Sequence, residues 1–104
     1  MKQKEFDKLV EHRMEVCKET LGLKAKHYAT VGDRLHNFKD GAFINNCTPE
    51  QYALSLVTKH IVAIKDAILS GKLMSEEFAE EKIGDIINYM LLIEALNTER
   101  RNND

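Results

Sequence analysis

The chain has 104 residues, 43% of them hydrophobic and 31% charged, with a net charge of −2. That length allows one domain with a single modest core, and the composition is that of a folded, helix-rich chain rather than a disordered one. Both signs of charge are mixed along the sequence, which argues against an extended nucleic-acid surface, and no apolar run reaches the length of a membrane span.

The opening stretch, MKQKEFDKLVEHR, carries charge throughout and lacks the apolar centre of a signal peptide. Its continuation predicts a first helix over about 4–28. Phe6, Leu9, Val10, Met14, Cys17 and Leu21 recur there at three- and four-residue steps. Gly22 interrupts that pattern and is a candidate break, because glycine weakens a helix interior by roughly 1 kcal/mol relative to alanine. Glu11, Glu15 and Glu19 line up on one side, as either a solvated face or a metal-binding row. Cys17 and Cys47 have no CxxC partner, which reads as two reduced packing thiols in a cytoplasmic protein.

The least regular stretch, from Ala29 to Cys47, predicts a shorter helix over about 33–45, with Asp33 as its N-cap and Asn45-Asn46 at its end. Asp33, Arg34 and Asn37 also form a compact polar group beside Phe38. Thr48-Pro49-Glu50-Gln51 is the clearest local signal: a capping threonine, proline at the first helical position, and glutamine closing a capping box. It starts a helix over 49–69 that stops at Ser70-Gly71. His60 lies on its apolar side with Lys59 at the edge, as either a satisfied core histidine or a site residue.

The last predicted helix spans 75–97, capped by Ser75, with the tail TERRNND fraying beyond it. Ala79, Ile83, Ile86, Ile87, Met90 and Ile93 make a core-facing stripe. On the other side Phe78, Tyr89, Leu92 and Leu96 surround Glu81, Asp85 and Asn88. Two apolar faces on one helix predict a second cover, and a homodimer through the Phe78/Tyr89/Leu92/Leu96 side supplies it. The expected fold is therefore all-α: a four-helix-bundle-like single domain, residues 1–104, that self-associates.

Nucleophile-plus-base pairs, phosphate-cradling glycine loops and zinc spacings are all missing from the sequence. What remains is polar residues set on apolar helices. Carboxylates so placed suit Mg²⁺, and lysine or arginine suits phosphate oxygens.

Three stretches, YATVGDRLHNFKDGA, KHIVAIKDAI and EEKIGDIINYMLLIEAL, resemble small phage and prophage proteins near the nucleotide-modification-associated domain 1 type. Through IGDIINYMLL the last helix is distantly similar to all-α nucleoside triphosphate pyrophosphatases of the MazG and dimeric dUTPase kinds. The resemblance implies a four-helix core, oligomerisation, and Mg²⁺-dependent cleavage of a nucleotide between its α and β phosphates. Those enzymes hold metal with an ExxE and an ExxD. Asp85 matches the aspartate of the second pair, Lys82 stands where its glutamate belongs, Glu81 lies one position further away, and the helix 49–69 has no ExxE. On this reading Asp85 and Glu81 are the catalytic, Mg²⁺-holding carboxylates. Lys59, His60, Asn88, Tyr89, Asp33, Arg34 and Asn37 contact a nucleotide or another phosphorylated small molecule. Two alternatives stand beside it: a nucleotide-binding protein without turnover, and a phage accessory protein that acts on a host protein.

Overall fold

A computed structural model describes residues 1–28 and 32–103, with the backbone alone for 23–28. Residues 29–31 of the predicted irregular stretch therefore lie outside the described residues. Four helices follow in order: α1 (Gln3–Tyr28), α2 (His36–Asn45), α3 (Pro49–Leu69) and α4 (Glu76–Asn102). No strand occurs among the described residues, and none of the helices is long and apolar enough to cross a membrane.

The helix ends follow local chemistry. Thr48 Oγ1 accepts from Gln51 N at 3.1 Å while Gln51 Oε1 accepts from Thr48 N at 2.9 Å, completing the capping box that starts α3. α3 ends where Gly71 takes a φ of 75°, a conformation glycine adopts without a Cβ penalty. Ser75 Oγ accepts from Phe78 N and starts α4. Glu76 and Glu77 in the first turn of α4 and Arg100 and Arg101 in its last both complement the helix dipole. α1 runs unbroken through Gly22.

Two boundaries differ from expectation. α2 begins at His36, with Leu35 at the N-cap position and no side-chain cap. Asp33 is drawn elsewhere: Oδ1 accepts from Leu35 N at 3.0 Å, and Oδ2 takes the Lys39 ammonium at 2.7 Å. α4 continues five residues beyond the predicted end at Asn97, because its last turns are tied down from other helices. Arg100 Nη2 meets Glu50 Oε2 of α3 at 2.9 Å, and Glu99 takes the Lys39 ammonium of α2.

The core forms where α2 and α3 close over α4. Leu35, Phe38, Ala53, Leu92 and Leu96 are its buried members, and the Phe38 and Tyr89 rings meet edge-to-face with centroids 6.4 Å apart. Gly84, Asn88, Leu92 and Leu96 form the buried line of α4, while Met90 of the predicted core stripe is exposed. Leu92 and Leu96 of the predicted dimer side are thus covered within the chain, while Phe78 and Tyr89 are half-buried. Both free thiols pack as expected, Cys17 buried and Cys47 half-buried.

α1 lies along α4 rather than completing a closed bundle. Arg13 Nη1 donates to Glu80 O at 3.0 Å, and His12 Nε2 meets Glu80 Oε1 at 3.0 Å. Gly84 permits this approach, since a Cβ there would stand 2.8 Å from Arg13 Nη1. The N-terminal part of α1 leaves Phe6, Leu9, Val10 and Met14 between 40% and 54% exposed.

The Lys39 junction gives α2 a pH-dependent anchor. The Lys39 ammonium, then the Leu35 N–H, hold the Asp33 carboxyl below its ordinary range. Asp33, then Glu99, hold Lys39 above its own. The Asp33 contribution is present above the ordinary aspartate range and lost as pH falls below it. The Lys39 contribution is present below the ordinary lysine range and lost as pH rises above it. Because the pair is partly solvated, Asp33→Asn should cost no more than about 1 kcal/mol near neutrality. Melting curves of parent and variant should converge as pH is lowered through the aspartate range; a constant gap would remove the ion pair as its cause.

Candidate functional site

The polar residues singled out from the sequence do not gather in one place. Six of them divide between two recesses that share α4 but no lining residue, and Asp33, Lys59 and His60 line neither.

The first recess, about 400 Å³, lies between α2, α3 and α4. That volume suits a small ligand. Arg34 and Asn37 bring polar groups from the start of α2, and Tyr89 brings its ring from α4. Three of the expected substrate contacts therefore meet here. Tyr52 of α3 completes the wall, and sequence reasoning passed over it. Its place depends on Gly41 of α2, where a Cβ would fall 2.2 Å from the Tyr52 ring. A glycine inside a helix was the available signal, because that position costs stability unless something needs the space. Asp40, also on the lining, pairs with His36 Nε2 at 3.0 Å.

The second recess, about 370 Å³, runs between α1 and α4. Glu81, Asp85 and Asn88 line it, opposite Val16, Cys17 and Thr20. Asn88 is only 7% exposed, and its Oδ1 is buried without a hydrogen-bond partner.

His60 joins the two recesses without lining either. Its ring stacks on Tyr89 with centroids 6.4 Å apart, and its Nε2 stands 3.4 Å from Asp85 Oδ2. The residue is 7% exposed and its Nδ1 has no partner. Asp85 thus faces a histidine rather than the Lys59 ammonium, so its neutralisation strands no buried lysine charge. Lys59 is exposed and lines neither recess, and Asp33 serves the Lys39 junction.

Glu81 and Asp85, the predicted metal pair, line the same recess one turn of α4 apart. Among the described residues, no three of His, Cys, Asp and Glu stand together so that they could hold a metal ion. Asp85 is turned to His60, and Glu81 is largely solvated, with the Lys82 ammonium 3.5 Å away. The predicted Glu81/Asp85 pair therefore has no third carboxylate, histidine or thiol grouped with it among the described residues to make a protein cage.

No family model matches the chain, and no curated protein or solved structure matches it either.

Proposed function

We propose that this is a phage-type nucleotide-handling protein that binds a nucleotide in the α2/α3/α4 recess and does not cleave it through metal ligands of its own. The observation that carries this reading is the meeting of Arg34, Asn37, Tyr52 and Tyr89 in one cavity of about 400 Å³. A guanidinium offers forked donors to phosphate oxygens. Tyrosine rings offer stacking faces to a base, and Asn37 offers a donor and an acceptor to its edge. The resemblance to small phage nucleotide proteins supports the same ligand class. Of the three readings, nucleotide binding without turnover needs no group of three metal ligands, and none stands among the described residues.

Calorimetric titration with nucleoside mono- and triphosphates, with and without Mg²⁺, tests it. Binding should persist in a chelator, and the nucleotide should be recovered intact. Hydrolysis that requires Mg²⁺ and is lost in Asp85→Asn would favour the pyrophosphatase instead.

The functional unit in this proposal is a homodimer built on α1, not on α4. Phe6, Val10 and Met14 fall on one line of α1 and stand about half exposed. Antiparallel pairing of two copies through that line buries it in a self-complementary two-fold interface. Sedimentation should show a dimer at micromolar concentration that Val10→Glu converts to a folded monomer. A parent that sediments as a monomer would remove this interface.

A further inference from the structure

The recess between α2, α3 and α4 carries charge of both signs. Among the described residues on its lining, Arg34 is the one cation and Asp40 the one carboxylate. Arg34 stands just before α2, and Asn37, Asp40 and Ile44 follow along one face of that helix at three- and four-residue steps. From Asn37 to Asp40 the rise is about 4.5 Å along the helix axis. A phosphate offers only acceptors and negative charge, so it is drawn to Arg34 and repelled by Asp40. A nucleotide in this recess therefore lies with its phosphate at the start of α2 and its base towards Asp40. That carboxylate is held in place and still open to a donor. His36 Nε2, one turn back along α2, stands 3.0 Å from Asp40 Oδ2. An ionised carboxylate has about four lone-pair sites, so one such contact leaves the others available. The aromatic wall adjoins the same point. At Gly41, the next residue, a Cβ would fall 2.2 Å from the Tyr52 ring. A base resting on Tyr52 thus brings its edge to Asp40.

On the reading that a nucleotide fills this recess, we infer that its base is guanine and that Asp40 selects it. An ionised carboxylate only accepts, so it favours a base edge that presents donors. Guanine alone sets two donors side by side, the N1–H and the 2-amino group, and one carboxylate can take both. Adenine and cytosine each place a ring acceptor beside the amino group. Uracil and thymine flank their one N–H with two carbonyl oxygens, which a carboxylate repels. Arg34 then holds the phosphate, Asn37 lies beside the sugar, and Asp40 takes the guanine edge. This division gives a purpose to a carboxylate that phosphate binding alone would disfavour.

The experiment titrates the intact chain with GMP, IMP, AMP, CMP, UMP and XMP in the presence of a chelator. GMP should bind tightest. It should exceed IMP, which differs only in lacking the 2-amino group, by about tenfold, the low end for a charged hydrogen bond because the Asp40 side chain is 63% exposed. Asp40→Asn removes a negative charge, which favours every nucleotide alike, so the GMP-to-IMP ratio is the readout. That ratio should fall close to one. XMP carries a carbonyl oxygen in place of the 2-amino group, and it should gain at least about tenfold over GMP in the variant, because the new amide can donate to it. Asp66→Asn makes the same charge change on α3, off the lining of the recess, and should leave the ratio as in the parent. Equal binding of GMP and IMP by the parent, tighter binding of any other base, or an unchanged ratio in Asp40→Asn would overturn the inference while leaving the nucleotide reading standing. Failure of all six to bind would end that reading, and the choice of base with it.

Discussion

Replacing Leu96 with alanine should cost roughly 2–5 kcal/mol of stability, the range for truncating a buried leucine that leaves a cavity behind. Leu96 is 4% exposed and belongs to the cluster that joins α2 and α3 to α4. Each kcal/mol moves the melting point of a domain this size by roughly 4–8 °C. The variant should therefore melt at least about 8 °C below the parent. The loss should also be independent of protein concentration, because Leu96 is covered within its own chain. If the Leu96 side instead met a second subunit, the deficit would grow as concentration rises and the parent dimerises. Leu73→Ala is the matching control. Leu73 is fully exposed, and its truncation should stay within about 0.5 kcal/mol.

Replacing Arg34 with glutamine should weaken nucleotide binding by about tenfold or more, since charge-assisted hydrogen bonds contribute about 1.5–3 kcal/mol. The effect should grow with the number of phosphates on the ligand and fall as salt is added. An unphosphorylated nucleoside should bind parent and variant alike. Titration calorimetry across that ligand series reads both trends. An equal loss for nucleoside and triphosphate would mean that Arg34 shapes the recess rather than contacting phosphate.

Local signals were legible where the residues that decide a feature are neighbours in sequence. Thr48 and Gln51 cap α3, and Ser75 caps α4, because each needs only a partner three residues away. Asp33 shows the limit of this. Its sequence context favours a cap, but Lys39 and Glu99 form a junction that takes its carboxylate, and Glu99 is far away in the chain. The end of α4 has the same cause. Arg100 finds Glu50 on α3, so a tail that reads as frayed is held in the helix.

The face of α4 was harder to read. Ile83, Ile86, Ile87 and Ile93 make an apolar stripe, yet the most buried line is Gly84, Asn88, Leu92 and Leu96. A helix apolar on two sides carries no periodic preference that tells which side meets its own chain. Packing decided it, and packing also separated residues that looked like one site. Asn88 lines the recess with α1, whereas Tyr89, one position on, lines the recess with α2 and α3. A step of about 100° between neighbouring residues is enough to send them into different recesses.

The central claim, that a nucleotide occupies the recess between α2, α3 and α4, is tested most directly by mapping amide shifts of the isotopically labelled protein as a nucleotide is added. The shifts should concentrate at Arg34, Asn37, Gly41, Tyr52 and Tyr89, in the presence of a chelator, and leave Glu77 and Glu81 unmoved. Shifts confined to the α1/α4 recess and dependent on Mg²⁺ would contradict the account, as would a spectrum that no nucleotide perturbs.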